Sequence, residues 1–205
     1  MTLDVSVPIL VATKNRDKYE ELRRLWGDTL PVLQPAGAQY PDVAEPHDSY
    51  EANALAKARA LCALTGRPAL ADDSGLEVEA LGGAPGVHSA RTPSVEATAQ
   101  ERNAYVLRRL AALGDPPRGA RLVCVCALLA AHAEPIIERG EVRGLIAEEA
   151  RGPSGFGYDP IFVYEPYGRT FGELGVALKD GVSHRGNAVR ALIKKARLAA
   201  ARRLM

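Results

Sequence analysis

Residues 7–18, VPILVATKNRDK, decide the fold. Residues 7–13 are a short, continuous apolar run rich in β-branched side chains, which is typical of a buried strand. Asn15 follows at once and is a favourable N-cap residue, so we expect a helix from there to about Trp26. A buried strand that leads directly into a helix is the repeating step of an α/β protein.

The rest of the chain continues this alternation. The pattern of apolar residues predicts strands over 68–72, 120–131, 135–142 and 161–164, and helices over 49–66, 94–113 and 183–204. The strands at 120–131 and 135–142 are expected to pair antiparallel. The sequence therefore predicts an α/β fold with a mixed sheet, in a single domain spanning residues 1–205.

The composition of the chain excludes several classes of protein. The 205 residues contain 26 Lys and Arg and 25 Asp and Glu, a net charge of +1, which excludes binding of polyanions through bulk charge. The three cysteines include no C-x-x-C pair, which excludes a zinc ribbon or a thioredoxin-like motif. Apolar runs are too short to cross a bilayer, and residues 1–6 lack signal-peptide character. We expect a cytoplasmic protein without a membrane partner.

The segment after the first strand has the groups needed to bind phosphate. A strand end that opens a helix offers free backbone N–H groups and a positive dipole end. Hydroxyl, amide and cationic side chains lie there, although the glycines of a Walker loop are absent. A simple capped helix with solvated lysines is the alternative. The candidate residues are Thr13, Lys14, Asn15, Arg16, Asp17 and Lys18.

Two adjacent acids, Asp72 and Asp73, follow the apolar run at 68–72. They repel each other, and a cation would relieve that repulsion; Mg²⁺ prefers such carboxylates together with phosphates and water. We expect Ser74 and Gly75 to form a polar turn behind them. Glu45, in the loop before the second helix, could complete a carboxylate cluster. The alternative is an Asp-containing β-turn and an exposed loop acid.

A glycine-rich loop at residues 152–160, GPSGFGYDP, holds one of only three phenylalanines. Glycines on both sides of Phe156 would let its ring lie flat against a planar base. Asp159 follows at the entry to the next strand, where it could accept hydrogen bonds. The alternative is that the loop is only a tight connection before the next strand, with Phe156 in the core.

The last candidate segment is KDGVSHRG at residues 179–186. Ser183 is expected to cap the final helix, which leaves His184 and Arg185 in its first turn. A cation is unfavourable at this positive end, so Arg185 is better explained if it faces an anion or a base carbonyl. A structural histidine is the alternative for His184. We interpret the basic side of the helix as solvated rather than as a nucleic-acid surface.

In this order and spacing, the segments resemble the non-canonical purine nucleoside triphosphate pyrophosphatases, the inosine/xanthosine triphosphate pyrophosphatase family. The resemblance covers residues 9–196. It is carried by ATKNRDKYEEL, Glu45, SYEANALAKARA, ALADDSGLEVEALGGAPGVHSAR, GPSGFGYDPIF, TFGEL and KDGVSHRGNAV.

The resemblance implies an elongated mixed sheet with flanking helices and two lobes around a central cleft. It implies a Mg²⁺-dependent homodimer with no stable nucleic-acid partner. The reaction would be hydrolysis of ITP, dITP or XTP to the monophosphate and pyrophosphate, which cleanses the nucleotide pool.

The resemblance also implies roles for single residues. Asp73 matches the catalytic proton acceptor and, with Glu45, a metal ligand. Which of Asp72, Asp73 and Glu45 acts as base and which as ligand stays open. The substrate contacts that the resemblance implies are Thr13, Asn15 and Lys18 with their neighbours Lys14, Arg16 and Asp17, then Lys57, Ser74, Phe156, Gly157, Tyr158, Asp159, Lys179, His184 and Arg185.

Two other functions remain open at this point. One is a pyrophosphatase for modified pyrimidine triphosphates, with a similar metal site and a pocket for a single ring. The other is a nucleotide- or nucleic-acid-binding module without chemistry, suggested by the basic final helix. The acidic pair argues against this second alternative, because it would repel a phosphate backbone in the absence of a metal.

Overall fold

The computed structural model describes residues 7–28, 31–37, 40, 43, 48–114 and 116–201. Its strands are β1 (Ile9–Val11), β2 (Leu33–Pro35), β3 (Ala69–Val78), β4 (Gly119–Leu129), β5 (Ile136–Ile146), β6 (Phe162–Tyr164) and β7 (Arg169–Thr170). Its α-helices are α1 (Arg16–Trp26), α2 (Tyr50–Thr65), α3 (Ala99–Ala111), α4 (Phe171–Leu174), α5 (Val176–Val182) and α6 (His184–Ala201).

The strands of the described residues form one sheet in the order β2-β1-β3-β4-β5-β6-β7. Strand β1 runs parallel to both β2 and β3, with Leu10 opposite Gln34 on one side and Ala69 on the other. Strand β6 is antiparallel to β5 and to β7. The predicted mixed sheet with flanking helices is therefore confirmed.

Local capping sets the helix ends. The Asn15 side chain accepts a hydrogen bond from the Lys18 amide and begins α1, and Ser49 begins α2 in the same way. Helix α3 begins five residues later than predicted, because Thr98 and Glu101 form a capping box. None of the described helices is both long and apolar enough to span a bilayer.

Strand β3 differs from its prediction. The sequence indicated a strand ending at Asp72 and a polar turn at Ser74 and Gly75, but β3 continues to Val78. Leu76 and Val78 are fully buried, and this burial outweighs the local turn preference of the motif. The predicted turn is wrong, and both acids lie in the middle of a strand.

The chain divides into two compact units, each built from separate segments. The first unit contains residues 1–73, 124–140 and 185–205, and the second contains 74–123 and 141–184. Each has its own apolar core. That of the first includes Ile9, Leu22, Leu70, Leu128 and Leu192, and that of the second includes Leu76, Leu110, Ile146, Phe162 and Phe171.

Candidate functional site

The two adjacent acids of β3 have different partners. Asp72 is 2% exposed and Asp73 is 5% exposed, so both are buried carboxylates. Successive side chains of a strand point to opposite faces. Accordingly, Asp72 contacts residues of α1 and α6, whereas Asp73 contacts residues of α2. The ion pairs of Asp72 and Asp73 therefore reach different helices.

Asp72 lies at the centre of a buried ion network. Its Oδ2 is 3.1 Å from Lys18 Nζ and 3.1 Å from Arg185 Nη2, and Arg185 Nη1 donates to Glu21. Glu21 and Arg185 are almost fully buried. Burial alone would raise the pKa of Asp72, but the charges of Lys18, Arg185 and Lys57 lower that pKa well below its usual value. Asp72 is therefore a carboxylate at neutral pH.

Asp73 is held by two side chains of α2. Lys57 Nζ donates to its Oδ1 at 2.8 Å, and Asn53 Nδ2 donates to its Oδ2 at 3.3 Å. Asn53 and Lys57 are four residues apart, so they lie on the same helix face. Each oxygen of the carboxylate thus accepts a hydrogen bond from the protein.

A cavity of about 560 Å³ lies at the start of α1. Lys14, Asn15 and Arg16 are exposed there. The Thr13 hydroxyl accepts a hydrogen bond from the Asn15 amide at 3.1 Å, so this oxygen also fixes the turn. The cavity is lined by Thr13, Lys14, Asn15, Arg16, Tyr19, Glu20, Pro35 and Gly37. Backbone donors and two exposed cations at a helix N-terminus can bind anionic oxygens.

In the second unit, a buried ion pair closes the glycine-rich loop. Asp159 Oδ2 accepts from the Phe156 amide at 2.8 Å and from Lys179 Nζ at 2.6 Å. The same ammonium lies 4.6 Å from the centre of the Phe156 ring, which is a cation–π contact. Asp159 and Lys179 therefore fix both the backbone and the ring of Phe156.

Tyr158 anchors this loop from its other side. Its hydroxyl donates to the Ser89 carbonyl at 2.9 Å, and Ser89 Oγ in turn accepts from the Leu76 amide at 2.9 Å. Burial raises the pKa of Tyr158 to about 12. The tyrosine is thus a neutral donor that joins the loop to the end of β3.

This chain is similar to known proteins over most of its length. The family model described as the Ham1 family matches residues 9–195, almost the whole chain. The chain belongs to the Ham1 family. It is 45% identical over 181 residues to a dITP/XTP pyrophosphatase of Symbiobacterium thermophilum, covering 88% of this chain and 90% of that protein. The dITP/XTP pyrophosphatase of Mycobacterium tuberculosis strain H37Rv is 47% identical over 193 residues, covering 90% and 93%. A HAM1 protein from Coxiella burnetii superposes with a TM-score of 0.82 at 41% identity, covering 91% and 96%.

In this Ham1-family chain, most of the candidate residues fall into three groups. The first group is Asp73 with the cations that contact it or Asp72, which are Lys18, Lys57 and Arg185. Ser74 is half-buried next to Asp73 on the strand. Thr13 to Arg16 surround the cavity at α1, and Asp17 is exposed beside it. Phe156, Gly157, Tyr158 and Asp159 lie in the glycine-rich loop of the second unit, and Lys179 of α5 contacts that loop. His184 is buried at the start of α6. Glu45 lies outside the described residues.

Sequence reasoning missed two residues of the site. Glu21 is a buried acid on α1 that binds Arg185, so the anion expected opposite Arg185 includes acids of the protein itself. Asn53 precedes Lys57 by one helical turn and shares its contact with Asp73. The i,i+4 spacing of Asn53 and Lys57 was a usable signal, whereas nothing local to α1 points to a partner for Glu21.

The carboxylate oxygens at β3 are the kind of ligand that Mg²⁺ prefers. Asp73 offers two carboxylate oxygens, and Asp72 Oδ1 is buried with no hydrogen-bond partner among the described residues. No group of three or more His, Cys, Asp or Glu side chains is arranged for a metal within the described ranges. Magnesium commonly uses only one or two carboxylates and takes its other oxygens from phosphates and water. The acids of β3 are therefore suitable ligands for a phosphate-bound magnesium ion.

A first prediction separates sterics from backbone strain in the loop. Gly155 and Gly157 both have positive φ, +82° and +62°. A Cβ at Gly155 would clash with Asp159 Oδ2, whereas a Cβ at Gly157 would meet no atom of the described residues within 4 Å, apart from its chain neighbours. Both alanine variants should lose about 1 kcal/mol of unfolding free energy through backbone strain. Gly155→Ala should also displace Asp159 from Lys179 and lower nucleotide affinity more than tenfold. Isothermal titration calorimetry with a non-hydrolysable analogue of ITP, and urea unfolding, measure both effects; equal affinities in the two variants would contradict the expectation.

A second prediction concerns Tyr158 and pH. Because its pKa is raised to about 12 in the folded protein, the stability that its neutral form contributes is complete below the unfolded value of about 10 and is lost as pH rises through 12. Tyr158→Phe should remove the late step of the tyrosinate absorbance titration. It should also lower stability at pH 7 by about 1 kcal/mol, because the Ser89 carbonyl loses a donor. A late step that persists in the variant would assign it to another tyrosine.

Proposed function

We propose that this protein hydrolyses non-canonical purine nucleoside triphosphates, ITP, dITP and XTP, to the monophosphate and pyrophosphate, and thereby cleanses the nucleotide pool. The observation that carries the proposal is the pair of buried carboxylates on β3, each paired with a lysine. This arrangement would offer carboxylates to a metal ion and two cations to a polyphosphate. The relatives named dITP/XTP pyrophosphatases support the substrate class.

The cations of the first unit would bind the phosphates. Lys18 and Lys57 are held on carboxylates by contacts of 3.1 and 2.8 Å. A flexible lysine can exchange a carboxylate oxygen for a phosphate oxygen with a small movement of its ammonium group. Thr13, Asn15 and the N-terminal amides of α1 would bind further oxygens, with Lys14 and Arg16 beside them.

Asp73 would take the proton from the attacking water. Water attacks the α-phosphorus, its oxygen forms the new P–O bond, and the bond to the pyrophosphate group breaks. The proton passes to the Asp73 carboxylate, which Asn53 still holds when Lys57 binds a phosphate. Asp73 and Glu45 would hold Mg²⁺, and the ion would supply positive charge that neutralises the phosphates and orients the leaving group.

The loop of the second unit would bind the base. The Phe156 ring offers an apolar face that is fixed by Lys179 and Asp159. Hypoxanthine and xanthine carry a 6-keto oxygen, which accepts hydrogen bonds from donors such as His184, Arg185 and the N-terminal amides of α6. Adenine presents a 6-amino donor there instead, and this group cannot accept a hydrogen bond from these donors.

The same proposal extends to the domain organisation, the oligomeric state and the cellular location of the protein. Residues 1–205 would form one catalytic domain, because the family model extends through both units. The protein would act as a homodimer in the cytoplasm, where the deaminated nucleotides arise and where its three free thiols remain reduced. No stable nucleic-acid partner is expected.

The test is pyrophosphate release from ITP, dITP, XTP, GTP, ATP and dTTP, with and without Mg²⁺. We expect magnesium-dependent release from the first three and at least tenfold lower kcat/KM for the others. Preferred release from pyrimidine triphosphates would support the alternative substrate class. No release from ITP or XTP by a folded sample with Mg²⁺ would overturn the proposal.

A further inference from the structure

Asn53 is a fully buried polar side chain on the inner face of α2. Its amide nitrogen lies 3.3 Å from Asp73 Oδ2, while Lys57 Nζ lies 2.8 Å from Oδ1 of the same carboxylate. One helix therefore supplies a separate donor to each oxygen, from positions one turn apart.

The two donors restrain the carboxylate in different ways. A carboxylate rotates easily about χ2, because this terminal torsion has only broad preferences. Lysine is a flexible point charge, and its ammonium can follow an oxygen as that oxygen turns. The amide of Asn53 is planar, short and packed without exposure, so its N–H group has a fixed position. Asn53 is thus the donor that limits rotation of Asp73.

We propose that Asn53 is a positioning residue that acts through Asp73. It anchors Oδ2 to α2 and fixes the plane of the carboxylate, so that Oδ1 faces the attacking water when Lys57 binds a phosphate. Its importance for rate rests on the proposed function, since a small misplacement of a catalytic group can lower a rate about 100-fold. Its effect on the orientation of Asp73 does not depend on the substrate.

The kinetic test uses Asn53→Ala in the pyrophosphate-release assay with ITP and Mg²⁺. We expect kcat to fall about 10- to 100-fold while KM changes less than threefold, because the lysines that would bind the phosphates are unchanged. Asn103→Ala is the matched control: Asn103 is also a buried asparagine, on α3. It should lose comparable stability and keep the wild-type kcat. Equal kinetic effects in the two variants would overturn the proposal.

A double-mutant cycle tests whether Asn53 acts through Asp73. In single-turnover assays, Asn53→Ala should slow the wild-type background and have no further effect in the Asp73→Asn background. Independent, additive losses would contradict the proposal.

A crystal structure of Asn53→Ala separates this inference from the proposed function. Asp73 Oδ2 should turn away from its wild-type position while Oδ1 stays on Lys57. An unmoved carboxylate would overturn the positioning role even if the enzyme hydrolyses ITP. A moved carboxylate would support that role even if the wild type released no pyrophosphate, which would overturn only the proposed function.

Discussion

Replacing Arg185 by methionine is expected to lower the free energy of unfolding by about 3–5 kcal/mol. The guanidinium is buried and contacts both Glu21 and Asp72, so its removal leaves two buried carboxylates with less compensation. Methionine keeps a similar volume and therefore limits the loss of packing. Urea unfolding at pH 7, followed by tryptophan fluorescence, gives the difference directly.

Two further variants identify the cause of that loss. Glu21→Gln combined with Arg185→Met should recover part of the lost stability, because one of the uncompensated charges is then absent. Arg190 is an exposed arginine of the same helix and donates a hydrogen bond to Asn187. Arg190→Met should change the free energy of unfolding by less than about 0.5 kcal/mol. Similar losses for Arg185→Met and Arg190→Met would show that the buried network does not determine the stability.

Replacing Asp73 by asparagine is expected to lower kcat for ITP by about 10²- to 10⁴-fold. Asparagine keeps the shape of the side chain but cannot take a proton from water, and it is a weaker ligand for Mg²⁺. Lys57 then loses its anionic partner, which lies 2.8 Å away in the wild type. Pyrophosphate release at saturating ITP and Mg²⁺ measures the effect.

The matched control for this variant is another acid–lysine pair of the first unit. Glu138 Oε1 lies 2.7 Å from Lys195 Nζ, and this lysine is well exposed. Glu138→Gln should leave kcat within twofold, because an exposed pair contributes little and lies outside the proposed site. If Asp73→Asn kept more than a tenth of the wild-type kcat, another carboxylate would have to be the base.

Local sequence signals predicted the elements whose ends depend on local chemistry. Asn15 and Ser49 cap α1 and α2, and both helices begin where their caps predicted. The extent of β3 could not be predicted in this way, because its Asp-Asp-Ser-Gly motif favours a turn. Burial of Leu76 and Val78 in the core of the second unit decides the conformation, and burial depends on residues far along the chain.

Local sequence patterns also failed to predict the contacts within the candidate site. Motif spacing predicted Lys18, Lys57, Asp73 and the Phe156 loop as candidates, but it did not predict which cation binds which acid. Asp72 and Asp73 are adjacent, yet strand alternation gives them different partners. Arg185 lies 164 residues from Glu21 in sequence, so no local pattern could connect them.

The interleaving of the two units has a consequence for synthesis on the ribosome. All segments of the second unit precede residue 185, whereas the first unit also needs residues 185–205. Asp72 leaves the ribosome 113 residues before Arg185, which is one of the cations that neutralise it in the folded protein. The second unit can thus complete its core while the nascent first unit still lacks α6, which reverses the usual N-terminal-first order of folding.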